Sequence, residues 1–505
     1  MKPTVVMLSA ITLFGIAVAC TPEDRSEEPV ADAENPASGQ TGPAEADSSL
    51  PKVVAAREER LEQEFSHAAP ESFALQRLST LPLADAARER TYGRASIVSN
   101  DYIYPHLPPS REDNERYEDV DPNPVKLVGA EPVSTFSIDV DTASYANARR
   151  FLKDGMLPPL DSVRIEELIN YFDYAYPTPA AAEPPFATDV ALYTSPWDPG
   201  SQLLRIGIKG HEIDLGNRSP ANLVFLVDTS GSMSSPDKLP LLQRSLRMLV
   251  DEMRPEDRIA IVAYAGSAGI VLEPTDGTEK AIIVSAIEDF IAGGSTAGAE
   301  GIRQAYQLAE ASFDDEAINR VILATDGDFN VGVSDPDRLE DFIAAKRESG
   351  VYLSILGFGR GNLNDLLMQK LAQAGNGNAS YIDSLMEARK VLVDEMGSTL
   401  FPIANDVKIQ IEFNPKEVAE YRLIGYETRM LAREDFNNDK VDAGEIGSGH
   451  AVTALYEITS PDSTSRLVDD LRYGVRKASV TDERGDRGAG ELAWLRLRYK
   501  QPGED

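Results

Sequence analysis

Three oxygen-bearing side chains alternate with other residues directly after an apolar segment in the middle of the chain. Asp228, Ser230 and Ser232 follow residues 223–227, which read LVFLV. A hard divalent cation such as Mg²⁺ takes oxygen ligands in near-octahedral geometry and keeps several of its waters. Hydroxyls bind such an ion directly, while nearby carboxylates hold its waters. The spacing therefore predicts a cation-binding loop at the point where a buried strand ends.

Two later loops carry further oxygen ligands. Thr296 lies in a Gly-Gly-Ser-Thr loop before a predicted helix at residues 299–311, and Asp326 follows a predicted strand at residues 320–324. Ligands of open α/β sheets bind beyond the carboxyl ends of the strands, so these loops should share one edge of the sheet. The residues expected to converge on one ion are Asp228, Ser230, Ser232, Thr296 and Asp326.

The elements that must position these loops alternate between strands and helices from about residue 222 to residue 401. Continuous runs of Val, Ile and Leu between the helices indicate parallel strands that are covered on both faces. Right-handed crossovers then give a doubly wound α/β domain. The strands before residue 222 and after residue 402 alternate polar and apolar residues. Both sets are compatible with one antiparallel sandwich into which the α/β domain is inserted.

The N-terminus has the pattern of an export signal. Lys2 precedes an apolar stretch at residues 5–19, which is shorter than a membrane-spanning helix. The stretch ends in Ala17-Val18-Ala19-Cys20, which resembles a bacterial lipobox with Ala17 where Leu is usual. We therefore expect Cys20, the only cysteine, to be lipidated; the alternative is an incidental cysteine after a simple secretory signal. The expected location is the cell envelope, on the periplasmic face of the outer membrane or the cell surface if the source is Gram-negative.

The predicted organisation follows composition along the chain. Residues 21 to about 50 are rich in small and acidic residues and hold too few large apolar residues to form a core. The chain ends soon after a predicted strand, which is compatible with a truncated C-terminal domain. The expected segments are a signal peptide at 1–19, a lipid-anchored disordered tether at 20–95, an α+β flanking region at 96–215, the α/β domain at 216–402 and a β-rich domain at 403–505.

The net charge and the histidine residues limit the classes of partner and activity that the sequence supports. The formal net charge of −34 argues against nucleic acid or an anionic lipid surface as partner, which leaves the N-terminal lipid as the membrane contact. None of the four histidines forms an H-E-x-x-H motif, and no nucleophile–base set is recognisable. The sequence therefore favours a binding protein over an enzyme.

A second group of oxygen ligands precedes the α/β domain. Asp139, Asp141 and Ser144 follow a predicted strand at residues 135–140 and invite a similar cation-binding interpretation. A strand end followed by a helix N-cap at residues 142–144 explains these residue types better than a cation site does. We favour the N-cap.

The three loops around residue 228 resemble the metal-ion-dependent adhesion site of von Willebrand factor type A domains. Asp228, Ser230 and Ser232 match its D-x-S-x-S motif, Thr296 its threonine and Asp326 its Asp-Gly. The resemblance implies that the three hydroxyls bind the ion directly and that the two aspartates bind through waters. It implies that an Asp or Glu of a protein partner completes the coordination. The expected ion is Mg²⁺, with Mn²⁺ or Ca²⁺ as alternatives.

A wider resemblance covers about residues 100 to 505. Residues 135–152 (TFSIDVDTASYANARRFL), 164–174 (RIEELINYFDY) and 356–365 (LGFGRGNLND) are similar to bacterial von Willebrand-type lipoproteins with flanking domains. This implies a membrane-anchored, divalent-metal-dependent protein-binding module for adhesion or complex assembly. The alternative is a metal-independent structural scaffold of an envelope complex.

Overall fold

The computed structural model describes residues 4–7, 114–179, 184–214, 216, 218–294, 298–327, 336–441, 443–469 and 490–502. The predicted tether, Cys20 and Thr296 lie outside the described residues. The strands are β1 (Thr4–Met7), β2 (Lys126–Leu127), β3 (Val133–Ser137), β4 (Phe186–Thr194), β5 (Gln202–Gly210), β6 (Ala221–Asp228), β7 (Arg258–Tyr264), β8 (Ala268–Asp276), β9 (Ile318–Thr325), β10 (Tyr352–Phe358), β11 (Ala379–Ile382), β12 (Pro402–Phe413), β13 (Glu420–Ile424), β14 (Met430–Leu431), β15 (Ile446–Gly447), β16 (Ala451–Thr459) and β17 (Ala493–Lys500). The α-helices are α1 (Ala143–Lys153), α2 (Ile165–Asn170), α3 (Leu239–Glu252), α4 (Lys280–Glu288), α5 (Gly298–Ala311), α6 (Pro336–Arg347), α7 (Asp365–Ala374), α8 (Leu385–Arg389) and α9 (Met396–Leu400).

The central sheet has the strand order β11-β10-β9-β6-β7-β8, and its pairs are parallel except for β7 with β8. All residues of β6 are buried. Val224 and Leu226 pack into a core with α5, whereas Phe225 and Val227 pack into a second core with α3. A strand covered on both faces needs apolar residues at consecutive positions, which explains the unbroken LVFLV run. The predicted doubly wound α/β domain is confirmed.

The remaining strands form a sandwich of two sheets. One sheet has the order β1-β17-β12-β3-β14, with β15 on β12, and the other has the order β2-β13-β16-β5-β4. Phe136, Leu204, Ile409 and Tyr456, which come from both sheets, share one buried core. The β-rich segments on either side of the α/β domain therefore form a single sandwich. The predicted boundaries at 96–215 and 403–505 divide this one unit, because each sheet takes strands from both regions.

Strand β1 lies within the predicted signal peptide and pairs antiparallel with β17. Cleavage before Cys20 would remove β1 and leave β17 at the edge of its sheet. Within the described part of the chain, no helix combines the length and apolar character needed to cross a membrane.

The last helical segment of the α/β domain departs from the sequence prediction. The sequence of residues 384–399 predicts one helix, but α8 gives way to a π-helical turn at Lys390–Asp394, and α9 follows as a separate short helix. Gly397 and Ser398, both weak helix formers, lie in α9. Periodicity of apolar residues therefore placed the segment correctly but not its interruption.

Candidate metal centre

The first loop of the candidate centre begins at the end of β6. Asp228 is the last residue of that strand and is 0% exposed. Its Oδ1 accepts a hydrogen bond from the backbone N–H of Ser230 at 2.8 Å. The hydroxyls of Ser230 and Ser232 lie 2.9 Å apart. Because the chain turns tightly here into a 3-10 turn at Gly231–Ser234, a carboxylate and two hydroxyls are gathered within five residues.

The second loop lies against the first. The backbone N–H of Gly231 donates to the carbonyl of Gly294 at 3.1 Å, and that of Gly293 donates to the carbonyl of Thr229 at 2.8 Å. Thr296 itself falls outside the described residues. The glycines that precede it nevertheless touch the D-x-S-x-S loop, which is the placement that the sequence predicts for this loop.

The third loop follows β9, the parallel neighbour of β6. The hydroxyl of Thr325 donates to Asp228 Oδ2 at 3.4 Å, and Thr325 Oγ1 accepts from the N–H of Gly327 at 3.2 Å. Asp326, between these two residues, is 0% exposed. The structure thus brings Asp228, Ser230, Ser232 and Asp326 to one edge of the sheet. Their binding of a metal stays a prediction.

Burial makes the negative charge at this edge unfavourable. Removal from water raises the pKa of Asp228 to about 6, and the neighbouring charge of Asp326 acts in the same direction. Hydrogen bonds from Ser230 partly oppose that rise. A cation bound between the two carboxylates would relieve both the desolvation and their mutual repulsion.

The donor set fits a hard divalent ion. The four described residues offer only oxygen atoms, namely the hydroxyls of Ser230 and Ser232 and the carboxylates of Asp228 and Asp326. Such donors suit Mg²⁺, Ca²⁺ or Mn²⁺ better than softer metals. Within the described ranges, no group of three or more His, Cys, Asp or Glu side chains is arranged to hold a metal, and the candidate centre has only two such side chains.

A basic residue that sequence reasoning missed also reaches this centre. The ammonium Nζ of Lys238 donates to Asp326 Oδ2 at 2.7 Å, and the lysine side chain is 7% exposed. Lys238 is the residue before α3 and the first basic residue after the D-x-S-x-S loop. The position of Lys238 could have indicated this contact, because a residue at the start of the helix after β6 must lie near the D-x-S-x-S loop.

A second carboxylate-rich region lies between the α/β domain and the sandwich, and we call it the interface cluster. Its acidic members are at least 95% buried and its two arginines are largely buried. The cluster comprises Asp139, Asp141, Arg164, Glu166, Glu167 and Arg429. Thr142 occupies the N-cap position of α1, as predicted, but its side chain makes no capping hydrogen bond.

The arginines of the interface cluster connect distant parts of the chain. Arg429 donates to Asp139 at 3.2 Å and to Asp141 at 3.4 Å. Arg164 pairs with Glu167 and, at 2.5 Å, with Asp365 at the start of α7. The pair of Arg164 with Asp365 connects the cluster to the α/β domain, whereas the pairs of Arg429 lie within the regions that flank that domain.

The acids of the interface cluster outnumber its bases. Burial, followed by the charges of Asp139 and Glu167, raises the pKa of Glu166 to about 8. Burial and the charge of Asp139 likewise raise the pKa of Asp141 well above its ordinary value, against the opposing effect of Arg429. Part of this cluster therefore holds protons near neutral pH.

Family comparisons agree with this architecture. Residues 222–394 match the model of the von Willebrand factor type A domain, and residues 111–205 match a model described as von Willebrand factor. Residues 398–505 match the C-terminal region of uncharacterized protein YfbK. The fold and the three loops thus define a bacterial-type protein built around a von Willebrand factor type A domain.

The most informative curated relative is uncharacterized protein YfbK of Escherichia coli K12, which is 49% identical over 394 residues, 77% of this chain and 68% of the relative. The chain belongs to the YfbK family of von Willebrand factor type A proteins. It is also similar to human inter-alpha-trypsin inhibitor heavy chain H3, at 25% identity over 275 residues, 50% of this chain and 30% of that protein.

The chain is also similar to parts of two solved structures. The von Willebrand factor type A protein from Catenulispora acidiphila has a TM-score of 0.36 and 17% identity, covering 55% of this chain and 65% of that one. Proximal thread matrix protein 1 from the mussel byssus, solved with a zinc-occupied MIDAS motif, has a TM-score of 0.30 and 26% identity. That match covers 35% of this chain and 45% of the mussel protein.

Proposed function

We propose that this protein binds a protein partner through a divalent cation held at the candidate metal centre. The observation that carries the proposal is the juxtaposition of Asp228 and Asp326, both 0% exposed, with the paired hydroxyls of Ser230 and Ser232. Buried carboxylates beside hydroxyls are poorly satisfied by protein groups alone and well satisfied by a hard cation. Type A domains commonly use such a site to bind protein ligands.

In the proposed complex, each residue has one task. Ser230, Ser232 and Thr296 bind the ion through their hydroxyls, while Asp228 and Asp326 hold its waters. An Asp or Glu side chain of the partner takes the remaining coordination position. The ion supplies charge and orientation, so the proposed role is binding and not catalysis. We propose Mg²⁺ as the ion, with Mn²⁺ and Ca²⁺ as alternatives.

The proposed location is the cell envelope, with the protein attached through a lipid on Cys20. The lipobox-like end of the N-terminal apolar stretch supports this placement. Labelled palmitate should enter the full-length protein but not a Cys20→Ala variant, which should also leave the membrane fraction. Equal labelling of both proteins would exclude Cys20 as the attachment site.

The main experiment is partner capture from native envelopes by cross-linking, in Mg²⁺ and in EDTA. Mg²⁺-dependent capture should disappear in EDTA and with Asp228→Ala. Asp276→Ala serves as the matched control, because Asp276 is an exposed carboxylate of the same domain, paired with Arg258 on the surface. The control should capture as the unaltered protein does.

A second candidate function is a metal-independent scaffold of an envelope complex. The ion pair of Lys238 with Asp326 favours it, because that pair partly neutralises the centre without a metal. The same capture experiment separates the two functions. Capture that survives both EDTA and Asp228→Ala would exclude metal-dependent binding and leave the scaffold.

A further inference from the structure

The lysine at the candidate metal centre is held firmly in place. Its backbone N–H donates to the carbonyl of Ser235 at 3.0 Å, and its carbonyl accepts from the N–H of Leu242 at 2.9 Å as α3 begins. The aliphatic stem crosses Gly359, where a Cβ atom would lie 2.3 Å from Lys238 Cγ and Cε. Gly359 has φ +74°, which also favours glycine. The backbone and this close passage together direct the ammonium group inward.

The ammonium group reaches a carboxylate that the proposed metal also needs. Lys238 Nζ lies 2.7 Å from Asp326 Oδ2, and the two side chains are 7% and 0% exposed. A buried ion pair of this kind is screened little by water, so its partners interact strongly. Any divalent cation that approaches Asp326 therefore meets a positive charge already bound there.

Charge balance makes the ammonium and the metal competitors. Asp228 and Asp326 together carry two negative charges when both are ionised, and Lys238 carries one positive charge. A divalent cation would compensate both negative charges. With the cation and the ammonium present together, the centre would carry an excess positive charge. Binding of the metal must therefore move the ammonium away or work against its repulsion.

We propose that Lys238 is a positioning residue that substitutes internally for the cation. Its ammonium holds Asp326 in place when no metal is bound, and it competes with the metal for that carboxylate. Lys238 thereby sets the concentration of divalent cation at which the centre fills. This inference rests on the proposed metal-dependent function.

The test compares Mg²⁺ binding by calorimetry to the full chain and to three variants. Lys238→Met keeps most of the stem that packs over Gly359 but removes the charge, whereas Lys238→Arg keeps the charge. We expect Lys238→Met to bind Mg²⁺ about tenfold more tightly or better, because loss of about 1.4 kcal/mol of repulsion changes affinity by that factor. Lys238→Arg should stay within a few-fold of the unaltered protein. Asp228→Ala is the negative control and should not bind.

A metal-free measurement tests the same role independently. In EDTA, Lys238→Met should melt at a lower temperature, because Asp326 loses the ammonium that pairs with it. Replacing Asp326 as well, in Lys238→Met/Asp326→Asn, should restore much of that loss. Added Mg²⁺ should raise the melting temperature of Lys238→Met more than that of the unaltered protein, since tighter binding to the folded state stabilises it more. If Lys238→Met does not fold, Lys238→Gln replaces it in both measurements.

The outcomes separate this inference from the proposed function. A folded Lys238→Met that binds Mg²⁺ no more tightly than the unaltered protein overturns the role of Lys238 and leaves metal-dependent binding intact. Absence of Mg²⁺ binding in the unaltered protein and in every lysine variant overturns both. Binding that appears only after removal of the lysine charge supports the inference and contradicts the proposed function of the unaltered protein.

Discussion

The candidate metal centre and the interface cluster both bury carboxylates, but they neutralise them differently. At the interface, the guanidinium groups of Arg164 and Arg429 each contact two carboxylates. At the candidate metal centre, the contacts of Asp228 and Asp326 include hydroxyls, a backbone N–H group and the ammonium of Lys238. A planar guanidinium fixes carboxylates at several points, whereas an ammonium is a compact charge that another cation can replace.

This difference indicates a structural role for the interface cluster and, at the candidate metal centre, a cation that another cation can replace. The interface cluster joins the end of β3, helix α2 and the C-terminal half of the sandwich to α7 of the α/β domain. Its charges connect residues that must stay together in the folded protein. The candidate metal centre lies at the edge of the sheet, where the proposed ligands come from loops. The comparison predicts that substitutions at the interface cluster change stability, whereas substitutions of the proposed hydroxyl ligands at the candidate metal centre change metal binding.

The largest expected effect is on the interface side. Arg429→Met removes the cation between Asp139 and Asp141 and leaves both carboxylates without that buried partner. We expect the free energy of unfolding to fall by about 3–5 kcal/mol. Urea unfolding at pH 7, followed by the fluorescence of Trp197 and Trp494 in the sandwich, would measure it.

The control for Arg429→Met is Arg247→Ala, because Arg247 and Glu288 form a pair in which both side chains are more than half exposed. Exposed pairs contribute little, so this variant should change the free energy of unfolding by no more than about 1 kcal/mol. Equal losses in the two variants would remove the distinction between the interface cluster and ordinary surface pairs.

A smaller effect concerns the pH dependence of stability. Folding raises the pKa of Glu166 to about 8, so between pH 4.5 and pH 8 the folded protein holds a proton that the unfolded chain releases. This contribution to stability is complete at low pH and is lost as the pH rises through that range. Each unit of difference between the folded and unfolded pKa corresponds to about 1.4 kcal/mol in the free energy of unfolding. Even half of this shift therefore contributes about 2 kcal/mol.

Glu166→Gln should remove this dependence. At pH 8.5 the free energy of unfolding of the variant should exceed that of the unaltered protein by about 2 kcal/mol. At pH 5 the difference between the two proteins should be smaller. Urea unfolding at the two pH values would measure the difference, with Glu288→Gln, an exposed glutamate, as control. A gain of the same size at both pH values would contradict the proton held by Glu166.

The smallest expected change in free energy follows from substitution of a proposed ligand at the candidate metal centre. Ser230→Ala removes one proposed hydroxyl ligand while leaving both carboxylates in place. We expect Mg²⁺ affinity to fall about tenfold, which is about 1.4 kcal/mol, and the metal-free stability to change by less than about 1 kcal/mol. Calorimetry and urea unfolding in EDTA would measure the two quantities.

Ser285→Ala on the exposed surface of α4 is the matched control for Ser230→Ala and should change neither quantity. If Ser230→Ala instead destabilised the metal-free protein strongly and left Mg²⁺ affinity unchanged, the hydroxyl would be a structural group like those of the interface cluster. The comparison between the two regions would then fail.

The sequence alone determined the features that depend on local order. The unbroken apolar run at residues 223–227 predicted β6, because a strand covered on both faces needs consecutive apolar residues. The D-x-S-x-S spacing placed Asp228, Ser230 and Ser232 in the loop after β6. The order of strands and helices placed Asp326 at the same edge of the sheet, since parallel strands end together.

Only the tertiary structure decided which charges are paired. Asp139 and Asp141 looked like a strand end beside a helix cap, yet they face Arg429, 290 and 288 residues away in the chain. Lys238 lies at a helix start, where its sequence neighbours predict no ion pair, yet it reaches Asp326, 88 residues away in the chain. Periodicity and turn spacing report interactions between near neighbours, whereas an ion pair between distant residues depends on how the elements pack. For that reason the sequence located the candidate metal centre, and the fold revealed the lysine that we propose controls it.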